Sequence, residues 1–370
     1  MEFVQEQTRL REQIESIEKE IRESPYHKGT EHHIGKLRAR LAKLRSKLME
    51  TSTKKGGGVG YSLRKQGDAT VVLLGPPSSG KSTLLNRLTS AKSKVAPYEF
   101  TTVSVIPGMM YYKDAKIQIL DVPGLIEGAE EGKGRGREVL SVARGADLIL
   151  LMTDIKRVNT FKRHNLLLEK CGVRLNIVRP NVLIEKKLSG GITIHSNIKQ
   201  DLENQTIKEI ASEMGIKNVE IIIKEKLSLD RLIDAFSLNR LYLPAIYVIN
   251  KIDLIDSEGD LNNIYYLSED GRIIAISSEK GIGLSELKKK IWDTLAFTRV
   301  YLVRSDEEPT FNNPIIMHKG ETLKDVAKKI GAEFSQVKKR AKIWGTGAKF
   351  PGQEVSISTY VQEEMQVRFI

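Results

Sequence analysis

The sequence has a single cysteine, Cys171, among its 370 residues. One thiol cannot build an internal disulfide framework, and such scarcity is typical of a reducing compartment. Long apolar runs are absent too, since no stretch approaches the roughly 18 apolar residues that a membrane-spanning helix needs. The N-terminus is charged from its second residue and lacks the apolar core of a signal peptide. We therefore expect a cytoplasmic location and no membrane partner.

Acidic residues are outnumbered, with 47 Asp and Glu against 59 Lys and Arg and a net charge of +12. Between residues 36 and 65 the shortage is acute, because Glu50 is the only acidic side chain there. The basic residues of this segment are Lys36, Arg38, Arg40, Lys43, Arg45, Lys47, Lys54, Lys55, Arg64 and Lys65. A polyanionic partner such as RNA suits this distribution.

Residues 1–55 are predicted to form a helical hairpin whose second helix is basic. Apolar residues recur at helical spacing on each side of a break at Ser24-Pro25 and Lys28-Gly29-Thr30. Two interpretations stay open: the hairpin is a packing or dimerisation element, or it is a basic arm that grips RNA. Residues 56–67 follow as a glycine-rich linker.

Residues 68–299 are predicted to form an α/β domain with a doubly wound, mainly parallel sheet, because short apolar runs alternate with helical patterns. The strand-like runs are Thr70–Leu74, Ile117–Leu120, Leu148–Met152, Ala245–Ile249 and Ile273–Ile276. The alternation is interrupted at about 158–241, which we interpret as a small inserted α+β domain. Within it, Val182–Ile184 and Gly191–His195 are expected to pair as a hairpin across a Ser189-Gly190-Gly191 turn.

Residues 300–370 are predicted to form a small β-grasp domain. Strand-like runs at Val300–Val303 and Pro314–Met317 precede a helix that Thr322 caps and Gly331 ends. Two further strand-like runs, Ala341–Trp344 and Gln366–Ile370, complete the pattern of two strands, a helix and more strands.

A phosphate-binding loop follows the first predicted strand. The pattern G-x-x-x-x-G-K-S is formed by Gly75, Pro76, Pro77, Ser78, Ser79, Gly80, Lys81 and Ser82. Its backbone N–H groups and the following helix N-terminus, which includes Thr83, favour phosphate binding. Lys81 is expected to reach the β- and γ-phosphates, and the Ser82 hydroxyl to bind Mg²⁺.

Two further segments are expected to respond to the γ-phosphate. Asp121 and Gly124 form a D-x-x-G pattern after a strand, where the carboxylate can hold the Mg²⁺ shell and the glycine N–H can bond the γ-phosphate. Of Thr101 and Thr102, which lie between the phosphate loop and Asp121, Thr102 is the better candidate for contacting Mg²⁺. A loop held in this way is released on hydrolysis.

The base is selected by Asn250, Lys251 and Asp253 after another strand. A carboxylate at Asp253 can accept hydrogen bonds from N1–H and the exocyclic amine of guanine, whereas adenine would leave it unpaired. Further contacts with the guanine oxygen are expected from Ser277, Ser278 and Glu279. The sequence therefore predicts GTP and GDP as ligands, with Mg²⁺ as the cofactor, and it disfavours a metabolic kinase.

These motifs, in this order, resemble the Obg-type GTPases. The run from Asp121 to Ala129 and the run from Gly132 to Arg137 resemble the developmentally regulated GTP-binding protein family, and Lys319–Thr322 and Lys342–Lys349 resemble its C-terminal TGS module. The resemblance spans essentially the whole chain. It implies an inserted domain like that of ribosomal protein S5, a cytoplasmic GTPase acting on or near ribosomes, and a protein partner of the TGS module.

Slow hydrolysis is expected, because Leu125 stands where many small GTPases place a glutamine that orients the attacking water. A K⁺ ion is one alternative source of charge, although Ser78 replaces the asparagine of K⁺-stimulated relatives. Arg135 and Arg137 could stabilise charge in cis or lie in a solvated loop. The predicted function is a GTP-hydrolysing switch, and the alternative is an RNA-binding scaffold that nucleotide merely stabilises.

Overall fold

The computed structural model describes residues 2–51, 66–89, 96–97, 104–125, 136–255 and 272–370. Thr101, Thr102, Arg135 and most of the predicted linker lie outside these ranges. The described helices are α1 (Glu2–Glu23), α2 (Glu31–Thr51), α3 (Lys81–Leu88), α4 (Gly136–Arg144), α5 (Thr160–Lys170), α6 (Asn204–Glu213), α7 (Leu229–Phe236), α8 (Leu284–Thr294), α9 (Leu323–Ile330) and α10 (Ala332–Val337). Arg137 lies in the first turn of α4, but its side chain is outside the description.

The strands fall into a large central sheet and three smaller ones. In chain order they are β1 (Ala69–Leu74), β2 (Ala96–Pro97), β3 (Ser104–Tyr112), β4 (Ala115–Asp121), β5 (Leu148–Asp154), β6 (Val173–Leu175), β7 (Val182–Lys186), β8 (Ile192–Ser196), β9 (Val219–Ile223), β10 (Leu241–Leu243), β11 (Ala245–Asn250), β12 (Ile273–Ala275), β13 (Phe297–Leu302), β14 (Pro314–His318), β15 (Arg340–Trp344), β16 (Gln353–Ser356) and β17 (Met365–Phe369).

The central sheet has the order β12-β11-β5-β1-β4-β3-β2. Strands β12, β11, β5, β1 and β4 are parallel, whereas β3 runs antiparallel to β4 and was not predicted. Every residue of β1 and β5 is buried, as expected for a parallel sheet covered on both faces. One apolar core lies on each face of the sheet. The loops that carry function leave its carboxyl edge, where open α/β sheets bind ligands.

The inserted domain has a three-stranded sheet covered by α6 and α7, and its strand order is β7-β9-β8. The predicted hairpin is therefore wrong: β7 and β8 do not pair with each other but flank β9, antiparallel and parallel respectively. The apolar side chains explain the order. Val219, Ile221 and Ile223 of β9 are all buried, whereas β7 and β8 expose part of their residues, so β9 takes the central place.

The insertion also begins later than the predicted residue 158. Phe161 and Leu168 of α5, with Val173 of β6, belong to the core of the nucleotide-binding domain. Strand β6 pairs with β10, directly before β11. The separate core of the inserted domain starts with Val182 of β7 and extends to Phe236 at the end of α7.

The helical hairpin is joined to the inserted domain. Along one stripe, α2 packs on α1 through Ile17, Leu37 and Leu41. Its other face enters the core of the inserted domain, where its buried residues are Ile34, Ala39 and Ala42. A Cβ at Gly35 would lie 3.1 Å from side-chain atoms of α6 and α7, so a small residue allows this close approach.

The basic residues of α2 are paired within the chain. Lys36 and His32 contact Glu209; Arg38 lies 2.9 Å from Asp230; Arg40 and Lys43 meet the side chain and the carbonyl of Glu213; Arg45 and Lys47 contact Glu18 and Glu6. These contacts occupy the face that the RNA-arm interpretation requires. The structure favours the packing alternative for the hairpin.

The C-terminal sheet has the order β14-β13-β17-β15-β16, with β13 and β17 parallel and the other pairs antiparallel. This is a β-grasp topology, with α9 packed through Leu323 and Val326 on one face of the sheet. Thr322 and Asp325 form the predicted capping box at the start of α9. Strand β16 was not predicted, because its sequence has only one apolar residue, Val355.

Candidate nucleotide site

The phosphate loop bends where only glycine fits. At Gly75 φ is +156° and a Cβ would lie 2.1 Å from the Met152 carbonyl oxygen of β5. At Gly80 φ is +94° and a Cβ would lie 2.2 Å from Asn250 Nδ2. Any side chain at either position would therefore collide with a neighbouring strand end. The two glycines press the loop against β5 and β11, and α3 begins immediately after it.

Five consecutive carbonyl groups of the loop each accept a hydrogen bond from a side chain. Lys81 Nζ donates to Gly75 and Pro76 at 2.9 Å each, Arg157 Nη2 to Pro77 at 2.9 Å, Lys251 Nζ to Ser78 at 2.6 Å and Asn250 Nδ2 to Ser79 at 2.8 Å. These bonds fix the orientation of the loop peptides. The peptides whose carbonyls belong to Gly75 and Pro76 have a proline nitrogen and no N–H group. The peptides whose carbonyls belong to Pro77, Ser78 and Ser79 each carry an N–H group on the side opposite the held oxygen, and such groups suit an anion.

The proposed Mg²⁺ ligands lie together. Ser82 Oγ donates to Asp121 Oδ2 over 2.6 Å, and Asp121 is completely buried. Its other oxygen, Oδ1, has no hydrogen-bond partner among the described residues. A hydroxyl and an incompletely paired carboxylate fit Mg²⁺, which takes few protein oxygens and completes its shell with phosphate and water. The described residues contain no cluster of three or more His, Cys, Asp or Glu that could hold a metal without such help.

Gly124 and Leu125, which follow Asp121, have different surroundings. Gly124 has φ +66°, and no neighbouring atom lies within 4 Å of a Cβ built there. Leu125 is 2% exposed and packs in the core beneath the sheet. The side chain in the usual position of the water-orienting glutamine is therefore directed into the protein and away from solvent.

The base-recognition segments are tied to the phosphate loop through Asn250. Its Oδ1 accepts hydrogen bonds from the backbone N and the hydroxyl of Ser278, at 2.9 and 3.0 Å. Its Nδ2 reaches the Ser79 carbonyl, so one side chain joins three loops. Asn250 and Lys251 thus position the site, which leaves base recognition to Asp253.

Asp253 lies at the surface of the site. A hydrogen bond from Ser277 lowers the pKa of its carboxyl, with nearby Lys280 and Lys251 acting in the same direction. The carboxylate is therefore ionised at neutral pH and can accept two hydrogen bonds from guanine. The carbonyl of Glu279 accepts a hydrogen bond from Arg87 of α3, which holds the last predicted segment beside the others.

Two residues of this region were not predicted. Asp154 ends β5 opposite Asn250 in the strand register, and Arg157 follows one short turn later. Nε and Nη2 of Arg157 lie 3.0 and 2.6 Å from Asp154 Oδ2. Burial opposes the charge of Asp154, but the Arg157 contacts and the Lys251 charge outweigh it and lower the pKa. The sequence feature that could have identified this pair is an Asp at the carboxyl end of a predicted parallel strand.

His164 of α5 was not predicted either. It is 3% exposed, and burial, followed by the charges of Arg163, Lys81 and Arg157, lowers its pKa to about 4. The imidazole is therefore neutral at physiological pH.

The chain is similar to known GTP-binding proteins over nearly its whole length. A family model described as a 50S ribosome-binding GTPase matches residues 70–187, and one described as the C-terminal region of that domain matches 189–297. An uncharacterized GTP-binding protein of Methanocaldococcus jannaschii is 44% identical over 96% of this chain and 91% of its own length. Human developmentally-regulated GTP-binding protein 2 is 39% identical over 97% of this chain and 98% of its own.

The chain belongs to the developmentally regulated GTP-binding protein family. It is a guanine-nucleotide-binding protein with the P-loop GTPase fold, as its motifs predict. Among solved structures, Era in complex with a segment of 16S ribosomal RNA is 20% identical, covers 68% of this chain and 62% of its own, and has a TM-score of 0.32, too low to support an inference. No helix in the described parts of this family member is both long enough and apolar enough to cross a bilayer.

Proposed function

We propose that the protein hydrolyses GTP to GDP and phosphate, slowly and with Mg²⁺, and that the bound nucleotide switches its association with ribosomes or RNA. The observation that carries this proposal is the phosphate loop, whose five consecutive carbonyls are held by side chains, beside the Ser82–Asp121 pair. Membership of a GTP-binding family supports the choice of ligand.

The residues take the following parts in this proposal. The loop N–H groups and Lys81 hold the phosphates and counter the charge that develops on their oxygens, as a preorganised site does without rearranging. Ser82 is a direct Mg²⁺ ligand, and Asp121 holds the metal shell. Mg²⁺, when bound, neutralises charge on the β- and γ-phosphates. Thr102, with Thr101, and the Gly124 N–H are proposed to sense the γ-phosphate.

Slow turnover is supported by the burial of Leu125. A leucine in the core cannot orient water, so the chain lacks at this position the group that accelerates hydrolysis in many small GTPases. K⁺ is a candidate for supplying part of the missing charge. Ser78 has φ +57°, a left-handed conformation that asparagine also tolerates, and its side chain is shorter than the asparagine of K⁺-stimulated relatives.

An RNA surface is better supported in the C-terminal domain than in the hairpin, because Arg340 and Lys342 share a single carboxylate, Glu354, at 3.6 and 3.8 Å. Residues 338–349 contain five basic residues and no acidic one. Arg340, Lys342 and Trp344 alternate with buried residues along β15, so they share the outer face of the sheet. Arg368 on β17 stacks over Trp344, with its guanidinium carbon 5.2 Å from the ring centroid. Basic and aromatic side chains on one sheet face suit single-stranded nucleic acid. A protein partner of this domain remains an expectation from the family resemblance.

The test is GTP turnover by the purified protein in K⁺ and in Na⁺ at constant ionic strength, with and without ribosomes. Lys81→Ala is the blank, and Lys28→Ala, at an exposed turn, is the control for loss of one lysine. Turnover that rises with ribosomes and disappears in the blank supports the proposal. Turnover that ribosomes leave unchanged would remove the ribosome as activator, and equal RNA affinity of the GTP and GDP forms would favour the scaffold alternative.

A further inference from the structure

The phosphate loop is gripped at three consecutive carbonyls by side chains from two different strand ends. Asn250 and Lys251, after β11, bond the carbonyls of Ser79 and Ser78. The third carbonyl, that of Pro77, is held by Arg157, which follows β5 and belongs to none of the nucleotide motifs. Two of these tethers therefore come from the end of β11, and the third comes from the end of the neighbouring strand β5.

Arg157 is held in place at both ends. Its carbonyl accepts hydrogen bonds from the hydroxyls of Thr153 and Thr160, at 3.1 and 2.7 Å. Its guanidinium is held by the Asp154 carboxylate, and the same Nη2 atom also reaches Pro77. An arginine fixed in this way loses little freedom when it binds a carbonyl, and charge-assisted hydrogen bonds are stronger than neutral ones.

Asp154 connects this tether to the guanine side. Its side chain is only 9% exposed, and it lies opposite Asn250 in the register of β5 and β11. The carboxylate contacts Arg157, which bonds the Pro77 carbonyl, and the neighbouring strand β11 leads into Lys251, which bonds the Ser78 carbonyl. Asp154 therefore holds the Arg157 tether from the strand next to the one that carries the base-recognition residues.

We propose that Arg157 is a positioning residue for the phosphates: with Asp154 it fixes the Pro77 peptide of the phosphate loop. The inference rests on the binding of guanine nucleotide and does not depend on hydrolysis. Without Arg157 the Pro77–Ser78 peptide can rotate, which moves an N–H group that faces the phosphates. Asn250, Lys251 and Asp253 keep their places, so recognition of the base is retained.

The expected signature is therefore a loss of phosphate affinity with unchanged base selectivity. Removing one charge-assisted hydrogen bond of this kind should weaken GDP and GTP binding by about tenfold or more. The ratio of affinities for GTP and XTP should stay constant. If Arg157 had only a structural role, its loss would instead lower the stability of the nucleotide-free protein. Phosphate affinity and base selectivity would then be affected together.

The test measures dissociation of a fluorescent GDP analogue from the full chain by stopped flow, with the melting temperature of the nucleotide-free protein measured alongside. The variants are Arg157→Ala, Arg157→Lys, Asp154→Asn and the double variant Arg157→Ala/Asp154→Asn. Lys162→Ala, an exposed cation on the next helix, is the matched control. Arg157→Lys keeps the charge but lacks the planar fork, so it should recover little.

We expect dissociation to become about tenfold faster in Arg157→Ala and in Asp154→Asn. The double variant should be no worse than either single one, since both remove the same tether. Lys162→Ala should match the parent protein. Unchanged dissociation in a folded Arg157→Ala, fully additive effects in the double variant, or a loss of affinity that follows the loss of stability in every variant would overturn the proposal.

Discussion

The hydroxyl of Ser82 and the carboxylate of Asp121 lie close enough for one ion to draw on both, and a single substitution tests that arrangement. Removing the Ser82 oxygen takes away a direct ligand, so Ser82→Ala should lose most of the gain in GTP affinity that Mg²⁺ provides. GTP affinity measured in Mg²⁺ and in EDTA gives this gain directly. Ser212→Ala, at an exposed helical position, is the control. A full Mg²⁺ effect in Ser82→Ala would show that the metal binds elsewhere.

His164 predicts how stability depends on pH. Its pKa is about 4 in the folded protein, below the ordinary value of 6.5. The unfolded chain therefore takes up a proton first as pH falls, so the stability that the neutral histidine contributes is complete above pH 6.5 and is lost as the pH falls toward 4. The free energy of unfolding should drop by up to about 1.4 kcal/mol per pH unit in this window.

The measurement is urea unfolding at pH 7 and pH 5, followed by Trp292 fluorescence in a Trp344→Phe background. Trp292 is buried in the core of the nucleotide-binding domain, so it reports on the domain that contains His164. His164→Gln cannot take up the proton and should show a smaller pH effect than the parent. An equal effect in both proteins would assign the pH dependence to other groups.

Single residues also show how far the sequence could predict the site. Ser82, Asp121 and Asn250 occur in fixed linear patterns whose chemistry is known, and the structure brings them together. Arg157 and its acceptor Pro77 are 80 positions apart, and no spacing rule connects them. Only the folded register of β5 and β11 makes this contact visible.

At the scale of elements, the sequence located helix α2 but did not show that a second face of this helix is buried against the inserted domain. Its apolar stripe toward α1 follows the expected spacing, whereas the small residues Ala39 and Ala42 give no comparable signal. Those alanines, with Gly35, let α2 approach the inserted domain, and the nearby cations meet Glu209, Glu213 and Asp230. An acidic partner 170 or more positions away cannot be inferred from a local charge run.

This pairing makes a prediction about RNA. The double variants Lys36→Ala/Arg38→Ala on α2 and Arg340→Ala/Lys342→Ala on β15 remove the same charge from the two candidate surfaces. The β15 variant should weaken RNA binding and reduce its salt dependence by about two ion contacts. The α2 variant should change RNA binding little and cost about 1 kcal/mol or less in stability, as expected for partly exposed ion pairs. The measurement is RNA affinity as a function of salt concentration for both variants. A larger loss of affinity in the α2 variant than in the β15 variant would identify the hairpin as the RNA-binding arm.

The same scale explains the wrong hairpin in the inserted domain. Local turn chemistry at Ser189–Gly191 favours pairing of the flanking runs, but β9, almost thirty positions later, offers three buried branched side chains. Burial of these side chains outweighs the advantage of a short loop. Strand order in a small sheet depends on which strand contributes most to the core, and that is decided by long-range contacts.

For the whole molecule, the structure groups the described parts differently from the linear domain prediction. The nucleotide-binding domain and the β-grasp fold follow the predicted order, whereas the hairpin shares one core with the inserted domain. Helix α2 also contacts the segment between α7 and β10, which leads back into the nucleotide-binding domain: Asn239 in this segment donates a hydrogen bond to Ser46 of α2 over 3.0 Å. Hairpin and insertion are therefore expected to move as one body if the nucleotide changes their position.

The measurement that tests the account most directly is the turnover of GTP and XTP by the parent protein and by Asp253→Asn. Xanthine has an oxygen where guanine has its exocyclic amine. The Asp253 carboxylate repels this oxygen, whereas the amide of Asp253→Asn can donate a hydrogen bond to it. We predict that the parent prefers GTP by about a hundredfold or more in kcat/KM, and that Asp253→Asn reverses the preference. Hydrolysis of both nucleotides at similar rates by both proteins, or of neither, would contradict a guanine-selective, GTP-hydrolysing site built from these residues.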